Sequence, residues 1–159
     1  MVTHDPEEAM SICDKVAVMN DGKIHQIDTP INLLNNTKTI FVSSFILGNN
    51  IINLKKNGNT LMSCLGEINS SGLLNNAQIK RMSISPKFIS IKKSEFGNAY
   101  VVSKEFLGEF LIYKVSINEN ILRVRTDINN LINNGDKCSL SINKNSYYYL
   151  YPGAYKEYI

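Results

Sequence analysis

The side chains of this 159-residue chain with the means to do chemistry are His4, His25, three cysteines and a tight acidic group, Asp5, Glu7 and Glu8. Three carboxylates so close could form an acid–base cluster. Helix chemistry accounts for all three without one. Asp5 is a good N-cap, Pro6 suits the first helical position, and Glu8 stands three residues after the cap as in a capping box. Glu7 and Glu8 also put negative charge at the positive end of the helix dipole. Cys13, Cys64 and Cys138 are odd in number and form no C-x-x-C pair, a pattern of free buried thiols in a reducing compartment. Both histidines fall on other elements than Cys64 and Cys138, so no metal site is expected. No G-x-S-x-G nucleophile motif occurs, no cysteine has a histidine partner, and no G-x-x-x-x-G-K-[ST] loop is present to cradle phosphates.

The elements that must position these groups begin with a helix opened by Asp5-Pro6. Ala9, Ile12, Cys13 and Val16 are spaced for a buried helical stripe. Asn20-Asp21-Gly22 then separates the apolar runs 16–19 and 24–27, a hairpin signal because the turn needs positive φ. On that reading His25 lies on the solvent face of a hairpin strand and does nothing chemical. Thr29-Pro30 repeats the pattern of cap followed by proline and opens a short helix through Leu34. Ile40, Phe41, Phe45 and Ile46 fit one face of a further helix, with Gly48 as its C-cap.

Beyond Asn50 the spacing changes to short apolar segments between polar turns. Segments 51–54 and 61–65 flank Asn57-Gly58-Asn59, a hairpin signature. Segments 100–106 and 110–117 flank Leu107-Gly108-Glu109. In 121–124 the pattern puts Leu122 and Val124 on one face, with Arg123 and Arg125 on the other. Residues 131–136 form a turn before 138–142, and 147–151 close the set. The fold class expected is mainly β, a small OB-like barrel or sandwich preceded by an α/β segment.

Charge divides the chain at the same place. Through Gly48 the net charge is −3, and residues 49–159 carry +6, for the total of +3. The change in sign marks a domain boundary near Gly48-Asn49-Asn50. No apolar run approaches the roughly 20 residues that cross a bilayer, so no direct membrane insertion is expected.

The run Val2-Thr3-His4-Asp5-Pro6-Glu7-Glu8-Ala9, continued by Asn20-Asp21-Gly22-Lys23-Ile24 and Thr29-Pro30, resembles the switch-histidine segment of ATP-binding cassette (ABC) transporter ATPases, especially those of bacterial solute importers. The later strands resemble the TOBE (transport-associated OB) domain that follows the ATPase in many importers. Three motifs carry that likeness: Ser83-Ile84-Ser85-Pro86-Lys87, Val101-Val102-Ser103-Lys104-Glu105-Phe106-Leu107-Gly108, and Asn134-Gly135-Asp136-Lys137-Cys138. Ser85 and Lys87 stand where the family usually has Arg and Glu. Phe41-Val42-Ser43-Ser44-Phe45-Ile46-Leu47-Gly48-Asn49-Asn50 resembles the joining segment in ATPases for polyamines, ferric iron, phosphonates or other oxyanions.

The resemblance implies that residues 1–48 are the end of a nucleotide-binding domain and that 49–159 are a TOBE-type regulatory β-domain. It implies His4 as the switch histidine that reaches the γ-phosphate of ATP in the intact ATPase. There the imidazole can donate a hydrogen bond to phosphate or accept one from a positioned water. In this chain alone His4 reads as an ordinary surface histidine. The intact subunit is expected to use ATP and Mg²⁺, to pair with a second copy as a homodimer, and to drive membrane permease subunits from the cytoplasmic face. This chain by itself is expected to be inactive and to hold no cofactor. A different class of function remains open. Lys55-Lys56, Lys80-Arg81, Lys92-Lys93 and Arg123/Arg125, with Tyr147, Tyr148, Tyr149 and Tyr151, could serve an OB-type module that binds single-stranded nucleic acid. The dispersed charges and alternating tyrosines are equally those of solvated strand faces, and no nucleic-acid partner is expected.

Overall fold

A computed structural model describes residues 1–68, 79–144 and 146–152. The chain is mainly β, arranged in several antiparallel sheets, with no closed barrel among the described residues. It begins with α1 (Pro6–Ile12), then the hairpin β1 (Val16–Asn20) and β2 (Lys23–Asp28). Two short helices follow, α2 (Pro30–Asn35) and α3 (Ile40–Leu47). Asp5 and Thr29 cap their helices as expected, and Thr39 caps the third. Asp5 accepts from the N–H groups of Glu7 and Glu8, Thr29 from that of Asn32, and Thr39 from that of Val42. The hairpin turns on Asp21 and Gly22 with φ of 48° and 73°, the left-handed pair that a two-residue turn requires.

The strands after α3 build three further sheets. β3 (Asn50–Asn53), β7 (Ile79–Ile84) and β13 (Tyr148–Pro152) form one, in the order β13-β7-β3. β4 (Lys55–Asn57), β5 (Thr60–Ser63) and β6 (Gly66–Ile68) form a small meander. β8 (Ile89–Lys93), β9 (Ala99–Phe106), β10 (Phe110–Ile117), β11 (Asn120–Asp127) and β12 (Lys137–Ile142) form a five-stranded sheet ordered β11-β10-β9-β12-β8. All three contribute to one apolar cluster, which includes Ile52, Leu61, Met82, Ile84, Val101, Tyr113, Val115, Leu122 and Val124. A second, smaller cluster joins Val18, Leu33 and Val42, with Met10, Val16, Phe41 and Ile46 packed against it.

Several expectations change at this level. Ile12 is 69% exposed, and α1 buries no residue fully; Met10 instead reaches the small cluster. In α3, Val42 and Ser43 are the buried positions and Phe45 is partly exposed, stacked on Phe41 at 5.4 Å. Segments 51–54 and 61–65 do not pair with each other. The chain leaves β3 at Leu54, whose N–H donates to the Lys80 carbonyl at 2.7 Å, and β5 takes β4 as its partner. In β11 the alternation holds, with Leu122 and Val124 buried and Arg123 and Arg125 exposed. Gly97 is demanded by a close approach: a Cβ there would lie 2.1 Å from the carbonyl oxygen of Cys138.

Candidate functional site

His4 lies exposed, one residue before the N-cap of α1. The groups around it form a capping network. The Asp5 carboxylate accepts from the N–H of Glu7 at 2.9 Å and of Glu8 at 3.3 Å. The return arm of the expected capping box runs through an intermediary. Asp5 N–H donates to Thr3 Oγ1 at 3.1 Å, and that hydroxyl donates to Glu8 Oε2 at 2.6 Å. Asp5 and Glu8 therefore have structural work at the helix start. The donors at this helix end that could face a phosphate are already held by a carboxylate, which also repels an anion.

Among the described residues no group of three or more His, Cys, Asp or Glu side chains could hold a metal ion. With the phosphate-cradling loop absent from the sequence, this chain's own residues do not fit a complete Mg-ATP site. The cysteines are free: burial pushes the thiols of Cys64 and Cys138 up, with the nearby Asp136 charge adding to the effect at Cys138. Neither is poised as a thiolate nucleophile.

His25 departs from its expected place. It is half-buried, its Nδ1 lies 3.3 Å from Thr39 Oγ1, and its ring packs on Phe41 at 4.8 Å. It faces α3 because a bulge between Val18 and Met19 shifts the pairing and lets β2 turn that position inward. The hairpin's two faces then differ sharply. Val18 and its partner Gln26 are buried on one side. On the other, Ala17 pairs with Ile27 and Met19 with Ile24, and Met19, Ile24 and Ile27 are 57%, 55% and 54% exposed.

The basic residues are spread over four strands in three sheets. Lys55 and Lys56 lie on β4, Lys80 and Arg81 on β7, Lys92 and Lys93 on β8, and Arg123 and Arg125 on β11. Lys93 pairs with Asp136 at 2.7 Å, and Arg125 covers the ring of Phe110 at 3.8 Å. Tyr151 is buried with its hydroxyl 2.7 Å from Thr37 Oγ1, and Tyr149 donates toward the carbonyls of Leu34 and Asn35 at 3.3 Å. Tyr148 packs against the large cluster, leaving Tyr147 largely exposed against Phe88. Gln26, Thr37, Ser43, Asn49, Asn50 and Ser83 are buried polar residues whose burial no sequence pattern announces. Their partners lie on other elements, so adjacent residues do not mark them.

No family model matches the chain. It is 56% identical over 57 residues, 36% of its length, to the spermidine/putrescine import ATP-binding protein PotA of Bacillus thuringiensis. The like-named protein of Trichormus variabilis is 32% identical over 149 residues, 79% of this chain. The chain corresponds to part of an ABC importer ATP-binding subunit. It covers 38% of the length of the Trichormus relative, and the Bacillus match takes in 16% of that protein. No helix of the described residues is long and apolar enough to cross a membrane.

Proposed function

We propose that this chain serves as the C-terminal regulatory portion of an ATP-binding subunit that energises solute import. Residues 1–48 act as the end of the nucleotide-binding domain and 49–159 as a TOBE-type, OB-like regulatory domain. The observation that carries this reading is the 149-residue kinship with an import ATP-binding protein, which takes in 79% of the chain. The uncovered apolar face of Ala17, Met19, Ile24 and Ile27 supports it, since a two-stranded ribbon with an apolar outer face is built to be covered by a larger domain.

In the intact subunit His4 is the group that reaches the γ-phosphate. It stands exposed just ahead of a rigidly capped helix, so capping of α1 sets its position while leaving the imidazole free to approach a nucleotide. ATP and Mg²⁺ are held by other parts of that subunit, and the bound nucleotide supplies the phosphoryl chemistry. A second copy of the subunit and membrane permease subunits are its partners, in a homodimer at the inner face of the membrane. The relatives' names point to spermidine or putrescine as the solute class.

The test is made in the intact subunit. His4→Ala should lower turnover by about two to three orders of magnitude, as loss of a group acting on transition-state charge does, while ATP binding stays within a few-fold. Near-normal turnover in that variant removes His4 from the role.

A further inference from the structure

The connector between α2 and α3 is held from two sides by buried side chains of different sheets. From β2, the carboxamide of Gln26 donates to the Asn36 carbonyl at 2.9 Å and accepts from the Lys38 N–H at 2.9 Å. From β13, Tyr151 lies with its hydroxyl 2.7 Å from Thr37 Oγ1 and 3.2 Å from the Thr37 carbonyl oxygen. Gln26, Thr37 and Tyr151 are all buried. Three consecutive residues thus link the N-terminal hairpin to the last described strand.

A second set of bonds fixes α3 to the same sheet. Ser43 Oγ and Ser83 Oγ are 2.6 Å apart, and the Asn49 amide donates to both, at 3.3 Å and 3.1 Å. Ser43 and Ser83 are completely buried. Just beyond, the Asn50 side chain bonds the backbone of Arg123 through both its amide nitrogen and its oxygen. The Arg123 guanidinium lies beside Gly48 at the C-terminal end of α3, where a cation complements the helix dipole.

An apolar contact between two units can slide with little penalty. Directed hydrogen bonds between buried groups cannot, because any displacement leaves donors and acceptors unpaired in a low-dielectric interior. We infer that residues 36–50 are a rigid strut that makes the N-terminal hairpin, α3 and the β13-β7-β3 sheet move as one body, with no free hinge at Gly48. Movement imposed on the hairpin is delivered to the β-rich part undamped. The strut holds whatever the intact protein transports.

Native-state hydrogen exchange of the full chain in rising sub-denaturing guanidinium tests it. Amides of 36–48 and of 79–84 should follow one opening curve that merges with β9 and β10. Tyr151→Phe combined with Ser83→Ala removes the buried side-chain links from 36–49 to the β13-β7-β3 sheet and leaves the exposed Tyr149 bonds to the end of α2, and 36–48 should open about tenfold faster than β9 and β10. Separate curves in the unaltered chain overturn the proposal, and so do curves that stay merged in the double variant. If the variant fails to fold, the unaltered chain alone decides.

Discussion

Asn50 completes the edge of the five-stranded sheet at Arg123. Its carboxamide accepts from the Arg123 N–H at 2.7 Å and donates to the Arg123 carbonyl at 2.8 Å, the two bonds that a neighbouring strand would make. β11 is the outermost strand of its sheet and β3 the outermost of the other. One side chain therefore bridges two sheets that share a core but no ladder at this corner. A β-rich unit with no closed barrel among the described residues protects part of its exposed edge in this way.

Asn50→Ala should lower unfolding free energy by about 2 kcal/mol, because both backbone groups of Arg123 lose their partner in a half-buried site. Asn50→Asp keeps the acceptor and loses the donor, and should fall between. Urea denaturation midpoints at constant slope measure both. An Asn50→Ala midpoint equal to the parent would mean that water replaces the amide without loss.

Acid should weaken the fold partly through Asp136 and Asp28. The hydrogen bond from Lys93, then that from the Asn133 N–H, holds the Asp136 carboxyl below its ordinary value. At Asp28 the side chain of Asn32 does the same first, with the Thr29 N–H adding to it. A depressed native value means the carboxylate's contribution is complete above the ordinary carboxylate range and is lost as pH falls through and below it. Both carboxylates are partly exposed, so the effect is modest and salt-sensitive. In Asp136→Asn the loss of urea midpoint between about pH 7 and about pH 3 should be smaller than in the parent. An unchanged acid limb would remove Asp136 from this account.

The uncovered face of the hairpin should drive self-association of the chain when it is studied by itself. Met19, Ile24 and Ile27 present an apolar surface on a hairpin that forms a sheet of only two strands among the described residues. Light scattering should show a concentration-dependent rise in mass. Ile24→Lys with Ile27→Lys should reverse most of it without altering the circular dichroism of the strands. A monomer at all concentrations in the parent chain contradicts the prediction.

Single-stranded oligonucleotides should bind weakly and lose that binding steeply with salt. Tyr149 and Tyr151 use their hydroxyls within the chain, and the lysines and arginines lie on several sheets. Base stacking on an aromatic platform would quench tyrosine fluorescence. Tight binding at physiological salt that weakens in Tyr147→Ala would instead point to Tyr147 with Phe88 as a platform.

Calorimetric titration of this chain with Mg-ATP should show no micromolar site. Asp5 already occupies the N–H donors of α1, and no loop in the sequence can enclose the phosphates. A stoichiometric enthalpy change would require donors other than those at the helix start.

The parts of this protein legible in the sequence are those set by a few neighbouring residues. Asp5-Pro6 and Thr29-Pro30 began helices, Asp21-Gly22 made its turn, and Leu122 and Val124 faced inward, because caps, positive φ and strand alternation are local properties. The tertiary structure decided which strand β3 would pair with, since backbone edges carry no residue label until a partner is adjacent. It also decided what Gln26, Ser43, Asn50 and Tyr151 do. A polar side chain belongs in the interior only where complementary atoms stand within about 3 Å, and those partners come from residues up to 114 positions away.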